Sequence, residues 1–164
     1  MREQTLLQAA TASAAKPAPV SRGTLSGTVL AFDFGERYTG VAVGESSVGI
    51  AHPLALITAQ AQAARMDEVA ALVAQWKPGF LVLGLPFSMD GTEHDLTRRC
   101  RRFARQLESR FKLPVILVDE RLSSAAAEET LRAAERGGRK HKLLAHQVSA
   151  QIILQSYFDD PGTS

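Results

Sequence analysis

The chain has a single cysteine, Cys100, in 164 residues, so no internal disulfide can form, which fits a reducing compartment. Set alone in a predicted helix, Cys100 is expected to serve as a small core hydrophobe. No apolar run approaches the roughly 18 residues a membrane span requires. The stretch MREQTLLQAATASAAKPAPVSRGTLSG lacks the sustained hydrophobic segment of a secretory signal. Net charge is only +2, which excludes a uniformly basic molecule and leaves local charge as the informative quantity. There is no internal repeat.

What is present suits one globular domain: an ordinary length and an apolar share of 45%. Residues 1–26, rich in Ala, Ser and Thr with Pro17 and Pro19, are expected to form a flexible extension with at most a transient helix near Leu6-Leu7. The folded domain is expected over 27–160.

Within it, Val29–Phe32 and Val41–Val43 read as a hairpin over 28–44. Ser47–Ala51 is expected to be a third strand, ended by His52-Pro53. Met66, Val69, Ala70, Val73 and Trp76 recur at helical spacing over 63–76, and Lys77-Pro78-Gly79 stops that helix. The wholly apolar FLVLGLP that follows predicts a strand covered on both faces. Thr92 and Asp95 resemble a capping box for a helix over 93–110 that buries Leu96, Cys100, Phe103 and Leu107. Pro114–Val118 is the next buried strand. Ser123 is placed to cap a helix over 124–135, and a last helix over 142–158 carries Leu144, Val148, Ile152 and Tyr157. A β-meander followed by alternating helices and strands predicts an α/β domain: a mixed sheet flanked by helices. Ligands of such sheets gather at the carboxyl ends of parallel strands, where the loops 84–92 and 119–124 should lie.

Asp33 stands in mid-strand among core residues, where an uncompensated carboxylate costs several kcal/mol. That marks it as a site candidate; the alternative is a cap for the turn at 35–38. Glu120 follows a strand that can neighbour the first. Two carboxylates held close require either a shared proton or a cation between them, and hard oxygen ligands suit Mg²⁺ or Mn²⁺. Salt bridges to Arg37 or Arg121 are the competing account. Asp119 and Glu120 point to opposite faces, so only one can readily serve the site. Glu120 is preferred, leaving Asp119 as a structural partner for an arginine or a helix end.

Arg98, Arg101, Arg102 and Arg105 form a stripe opposite the apolar face of their helix, with Arg99 beside it. A second basic cluster comprises Arg132, Arg136, Arg139, Lys140 and Lys142. Like charges at these spacings oppose a helix, so a polyanion is the natural partner. A solvated face offset by Glu108, Glu128 and Glu129 is the bland alternative. Gly84-Leu85-Pro86 and Asp90-Gly91-Thr92 suggest a loop for close ligand approach, with Thr92 offering its hydroxyl and N–H to a phosphate. His52 and His94 read as surface residues, and Ser123 and Ser124 as capping residues.

Four segments, LAFDFGERYTGVAVG, FLVLGLPFSMDGTE, VILVDERLSS and VSAQIILQSYFD, resemble the YqgF/RuvX family of RNase H-like nucleases in order over residues 28–159. The resemblance implies an RNase H-like fold and a metal-dependent phosphodiesterase site using Mg²⁺ or Mn²⁺. It also implies a cytoplasmic protein that matures the 5′ end of pre-16S rRNA, with Holliday-junction or other branched-DNA cleavage as the alternative. By this matching Asp33 takes the first-strand acid and Glu120 the acid of the Asp-Glu-Arg motif. The third position, usually Asp on the last helix, is His146 here. A neutral imidazole brings one less negative charge, favours Mn²⁺ over Mg²⁺, and can serve as general base.

The expected catalytic and metal-binding set is therefore Asp33, Glu120 and His146. The expected nucleic-acid-binding set is Arg37, Thr92, Arg98, Arg101, Arg102, Arg105, Arg121, Arg139, Lys140 and Lys142. Expected partners are precursor rRNA or branched DNA and ribosome-assembly intermediates, met by a monomer or weak homodimer away from membranes. A non-catalytic assembly factor with a decayed site is the rival reading. An ATP-dependent sugar kinase or actin-like ATPase shares the opening hairpin, but needs two such domains.

Overall fold

The computed structural model describes residues 25–122 and 125–160. The readings made for the N-terminal extension up to residue 24, and for Ser123 and Ser124, lie outside them. The strands are β1 (Thr28–Phe34), β2 (Thr39–Glu45), β3 (Ala51–Ile57), β4 (Phe80–Leu85) and β5 (Val115–Asp119). The helices are α1 (Gln62–Trp76), α2 (Asp95–Phe111), α3 (Ala125–Glu135) and α4 (Arg139–Asp159), and a 3-10 turn spans Glu120–Leu122. Among the described residues no helix is long and apolar enough to cross a membrane.

The five strands form one sheet in the order β3-β2-β1-β4-β5. β1, β4 and β5 run parallel, while β2 is antiparallel to both β1 and β3. This is the expected mixed sheet, and it brings the carboxyl ends of β1, β4 and β5 to a common edge.

Alternation along β1, β2, β4 and β5 sorts the side chains into two cores. Leu30, Phe32, Val41, Leu81 and Leu83 face α1 and α2, meeting Met66, Val69, Phe103 and Leu107. Val29, Ala31, Ala42, Phe80 and Val82 face α4, meeting Ala150, Ile153, Leu154 and Tyr157. The same alternation sends Asp33 and Gly84 to the α4 face.

Small residues on β2 let α4 come close. A Cβ on Gly40 would overlap the carbonyl oxygen of His146, and one on Gly44 would press on the Phe158 ring. β2 thus offers α4 a shallow channel of Gly40, Ala42 and Gly44.

Three boundaries depart from the sequence reading. The third strand begins at Ala51 rather than ending there, and it contains Pro53. Pro53 pairs with Ala42 beside a register shift on an edge strand, where a missing N–H is tolerated. α2 begins at Asp95 with His94 as its cap, paired reciprocally with Thr97, so the Thr92–Asp95 capping box does not form. α4 begins at Arg139, three residues earlier than expected, with Arg139, Lys140 and Lys142 in its first turns. In addition, β5 is an edge strand and only half-buried.

Candidate active site

Asp33 is the first α4-facing residue of β1 beyond the apolar core, and Glu120 continues the parity of Ile116 and Val118 one residue past β5. The structure brings these two carboxyl groups together in a cleft of about 280 Å³, whose walls include Ser149 and Ile153 of α4 and Glu128 and Leu131 of α3. Gly84 makes the room: a Cβ there would sit 2.7 Å from Glu120 Oε1. The cleft continues between β5, α3 and α4 into a larger one of about 680 Å³, and Val118, Asp119, Ile152 and Ser156 line both.

Burial pushes the Asp33 carboxyl well above its ordinary value, helped by the charge and hydrogen bond of Glu120, while a hydrogen bond from Ser149 acts in the opposite direction. Glu120 is also raised, first by burial and then by Asp119, with the Asp33 hydrogen bond and the nearby His94 opposing. With both groups raised by burial, the pair keeps a proton that exposed carboxyls would release. Burial pushes the Cys100 thiol up to about 12, with the charges of Glu120 and Asp33 adding to it. Cys100 is therefore an inert core residue rather than a nucleophile.

Asp119 lines the cleft as well but is committed to an arginine. It takes the Arg121 guanidinium through both carboxylate oxygens, at 2.6–3.2 Å, and this contact holds it below the usual carboxylate range. Arg121 also lies over the Phe87 ring, 5.1 Å from its centroid. The loop before α2 is closed by Asp90, whose Oδ1 accepts from the backbone N–H and hydroxyl of Thr92. Thr92 is thus committed to an Asx turn and does not head the helix.

His146 lies one helical turn before Ser149. Its ring meets Tyr38, centroids 5.2 Å apart, and burial lowers its pKa, against the pull of Glu135. Among the described residues no three His, Cys, Asp or Glu side chains gather as a metal cage. The pair Asp33–Glu120 with the Ser149 hydroxyl is the donor set at the cleft. It consists of hard oxygens, and one or two carboxylates completed by substrate phosphate is the usual setting for Mg²⁺.

Ser149, Glu128 and His94 were not singled out for the site from the sequence. Ser149 had one available signal, its i+3 spacing from His146. Glu128 and His94 come near the pair only through packing of α3 and the start of α2.

The basic residues separate into distinct places. Arg139, Lys140 and Lys142 are exposed, on the part of α4 that projects past the start of β2, since His146 already meets Gly40. Exposed Arg37 sits on the β1–β2 turn, which Arg65 pins by bonds to the Gly35 and Glu36 carbonyls while stacking on Phe34. Arg98, Arg101, Arg102 and Arg105 lie on α2, across the sheet from the α4 face.

Residues 27–160 match the family model described as RuvX: Holliday junction resolvase. The chain belongs to the RuvX family. A relative from Methylobacillus flagellatus is 56% identical over 144 residues, covering 88% of this chain and 96% of its own. One from Thiobacillus denitrificans is 55% identical over 133 residues, covering 81% and 92%. Both bear the name "Putative pre-16S rRNA nuclease".

Two solved structures share the fold of this RuvX-family chain. Thermus thermophilus RuvC in complex with a Holliday junction substrate matches with TM-score 0.50 and 18% identity over 80% of this chain and 93% of that one. The fowlpox virus resolvase bound to Holliday junction DNA gives 0.51 and 9% over 80% and 97%. The RNase H-like architecture and the nuclease class expected from the sequence both stand on these matches.

Proposed function

We propose that this RuvX-family chain is a divalent-metal-dependent endonuclease that processes the 5′ end of pre-16S rRNA in the cytoplasm, acting on ribosome-assembly intermediates. The observation that carries the reading is the Asp33–Glu120 pair: two carboxyl groups pressed together at the carboxyl ends of parallel strands, in a cleft that Gly84 keeps open. The names of the relatives direct it to precursor rRNA.

In this reading Asp33 and Glu120 hold Mg²⁺ or Mn²⁺ in place of the proton they share. The chemistry such an ion would supply there is polarisation of the scissile phosphate and a lowered pKa for an attacking water. Ser149 holds Asp33 through its hydroxyl. His146, beside Tyr38 and one helical turn before Ser149, is in this reading a further contact for the substrate. Exposed Arg37 and the exposed cations of the Arg139–Lys142 segment would supply sequence-independent phosphate contacts. Three cations in the first turns of α4, where the helix dipole disfavours them, are compensated when a polyanion binds.

The test is cleavage of a precursor 16S RNA carrying its 5′ extension against a four-way DNA junction, at matched salt, with Mg²⁺ and then Mn²⁺. The expected result is faster cleavage of the RNA with at least one ion. Cleavage of the junction alone would replace this reading with that of a DNA resolvase, and no cleavage of either would leave a non-catalytic factor.

A further inference from the structure

The arginines of α2 do not share one fate. Arg98 lies 3.9 Å from Asp95, Arg99 is paired with Glu36, Arg101 with Glu93 at 2.5 Å, and Arg110 with Asp67 at 3.1 Å. Arg102 and Arg105 have no ion-pair partner among the described residues, and both are exposed. Both also line the same groove, a space of about 400 Å³ between α1 and α2.

The other walls of that groove are Gln62 and Met66 of α1 and Gln106 and Ser109 of α2, with the already paired Arg110 at its end. No carboxylate lines it. Gln62 is the first residue of α1, whose first turn has neither an acidic residue nor a side-chain cap, so the helix dipole adds to the positive potential. Two guanidiniums, two amides and a hydroxyl, with uncompensated positive charge, make a receptor for anionic oxygen. The donors Arg102, Arg105, Gln106 and Ser109 recur along one face over seven residues, about 10 Å of helix. A row of that length can meet more than one phosphate of a nucleic-acid strand, whose charges recur about every 3.4 Å of duplex axis. A linear polyanion fits this row better than a single compact phosphate.

The groove lies on the wrong side of the sheet to serve the acid pair. α1 and α2 cover the face of Leu30, Phe32 and Leu83, whereas Asp33 and Glu120 open toward α4. A phosphate held here is separated from the acids by the sheet and a helix about 10–12 Å across.

We propose that the α1/α2 groove is a second, non-catalytic contact for the phosphate backbone of the same nucleic acid, with Arg102 and Arg105 as its phosphate ligands. This rests on the nuclease reading above and adds to it a substrate class: a folded RNA that turns around the sheet edge near the 84–92 loop, engaging the acid cleft and the opposite face at once. A short single strand reaches only the cleft.

The experiment compares wild type, R102Q/R105Q and R102K/R105K on two probes, a folded precursor 16S RNA 5′ segment and a single-stranded RNA of about six nucleotides. Binding of the folded RNA is measured against salt in EDTA, and cleavage of both probes with Mn²⁺. The Gln pair should weaken binding of the folded RNA about tenfold and reduce the salt slope by about 1.4–1.8, the value for two phosphate contacts. Cleavage of the short strand should stay within twofold, and the Lys pair should restore the slope. An unchanged slope, or an equal loss on both probes, would overturn the proposal. If the wild type neither binds nor cleaves either RNA, the nuclease reading itself falls and this proposal with it; an active wild type with an unchanged slope removes the groove alone.

Discussion

The two faces of the sheet hold their charge in opposite ways. On the α4 side two carboxyl groups are half-buried, both raised by burial, and shaped by one glycine. On the α1/α2 side a row of arginines is exposed, and most are neutralised by single acids from neighbouring loops and helices. Exposed pairs of this kind contribute about 0–1 kcal/mol each and are readily exchanged for another anion. A carboxylate pair in a low-dielectric cleft is costly, and its cost is withdrawn only by a proton or a cation. Under the proposed function the difference separates chemistry from grip: the acids would carry reactivity, and the arginines affinity.

The comparison can be broken most sharply on the acid side. Glu120→Gln should lower metal-dependent cleavage by about 10³-fold, the scale of losing a preorganised electrostatic element, with little change in RNA binding. Cleavage within tenfold of wild type would move the active centre elsewhere.

The next effect is structural. Gly40→Ala places a methyl against the His146 carbonyl oxygen and must lift α4 off β2. Overpacking of this kind costs about 1–3 kcal/mol, or about 2–12 °C in Tm at 2–4 °C per kcal/mol. An unchanged Tm would show that α4 does not lie so close.

The pH dependence of stability sharpens the acid side further. Because the Asp33 pKa is raised on folding, the native state keeps a proton that the unfolded chain releases. The unfolded chain then binds fewer protons, and stability falls as pH rises from about 4 toward the raised value. Tm in EDTA should therefore decline over that window, and Asp33→Asn should flatten the decline. A wild-type Tm that climbs through it would contradict the protonated pair.

Smallest is the effect on the arginine side. Arg98→Ala or Arg101→Ala should change stability by less than about 0.5 kcal/mol, measured by denaturant midpoint, because each partner is exposed to water when released.

Much of this was legible in the chain. Alternation along β1 and β2 predicts both strands, whereas parity alone does not choose between Asp119 and Glu120, and both line the cleft. Pro53 misled the reading of β3, because a proline ends a central strand but not an edge strand at a register shift. The early start of α4 was hidden by cations where a helix dipole disfavours them. Thr92 looked like a cap because nothing local shows that Asp90 takes both its N–H and its hydroxyl. Within the site, Asp33 and Glu120 announce themselves as acids at strand ends. The position of Ser149 against Asp33, and of His146 against Tyr38, depends on the rotation of α4, which is fixed by Gly40 and Gly44 on a strand a hundred residues away. The arginine stripe is plain in the sequence, but the face of the sheet it occupies is a property of topology alone.

The central claim is that the Asp33–Glu120 pair is the metal-binding catalytic centre. Its most direct test is Asp33→Asn, assayed with Mn²⁺ on the precursor 16S RNA while its affinity for that RNA is measured in EDTA. The account predicts that cleavage falls by about 10³-fold or more while RNA affinity stays within about threefold and Tm at neutral pH rises. Retained cleavage by this variant would contradict it.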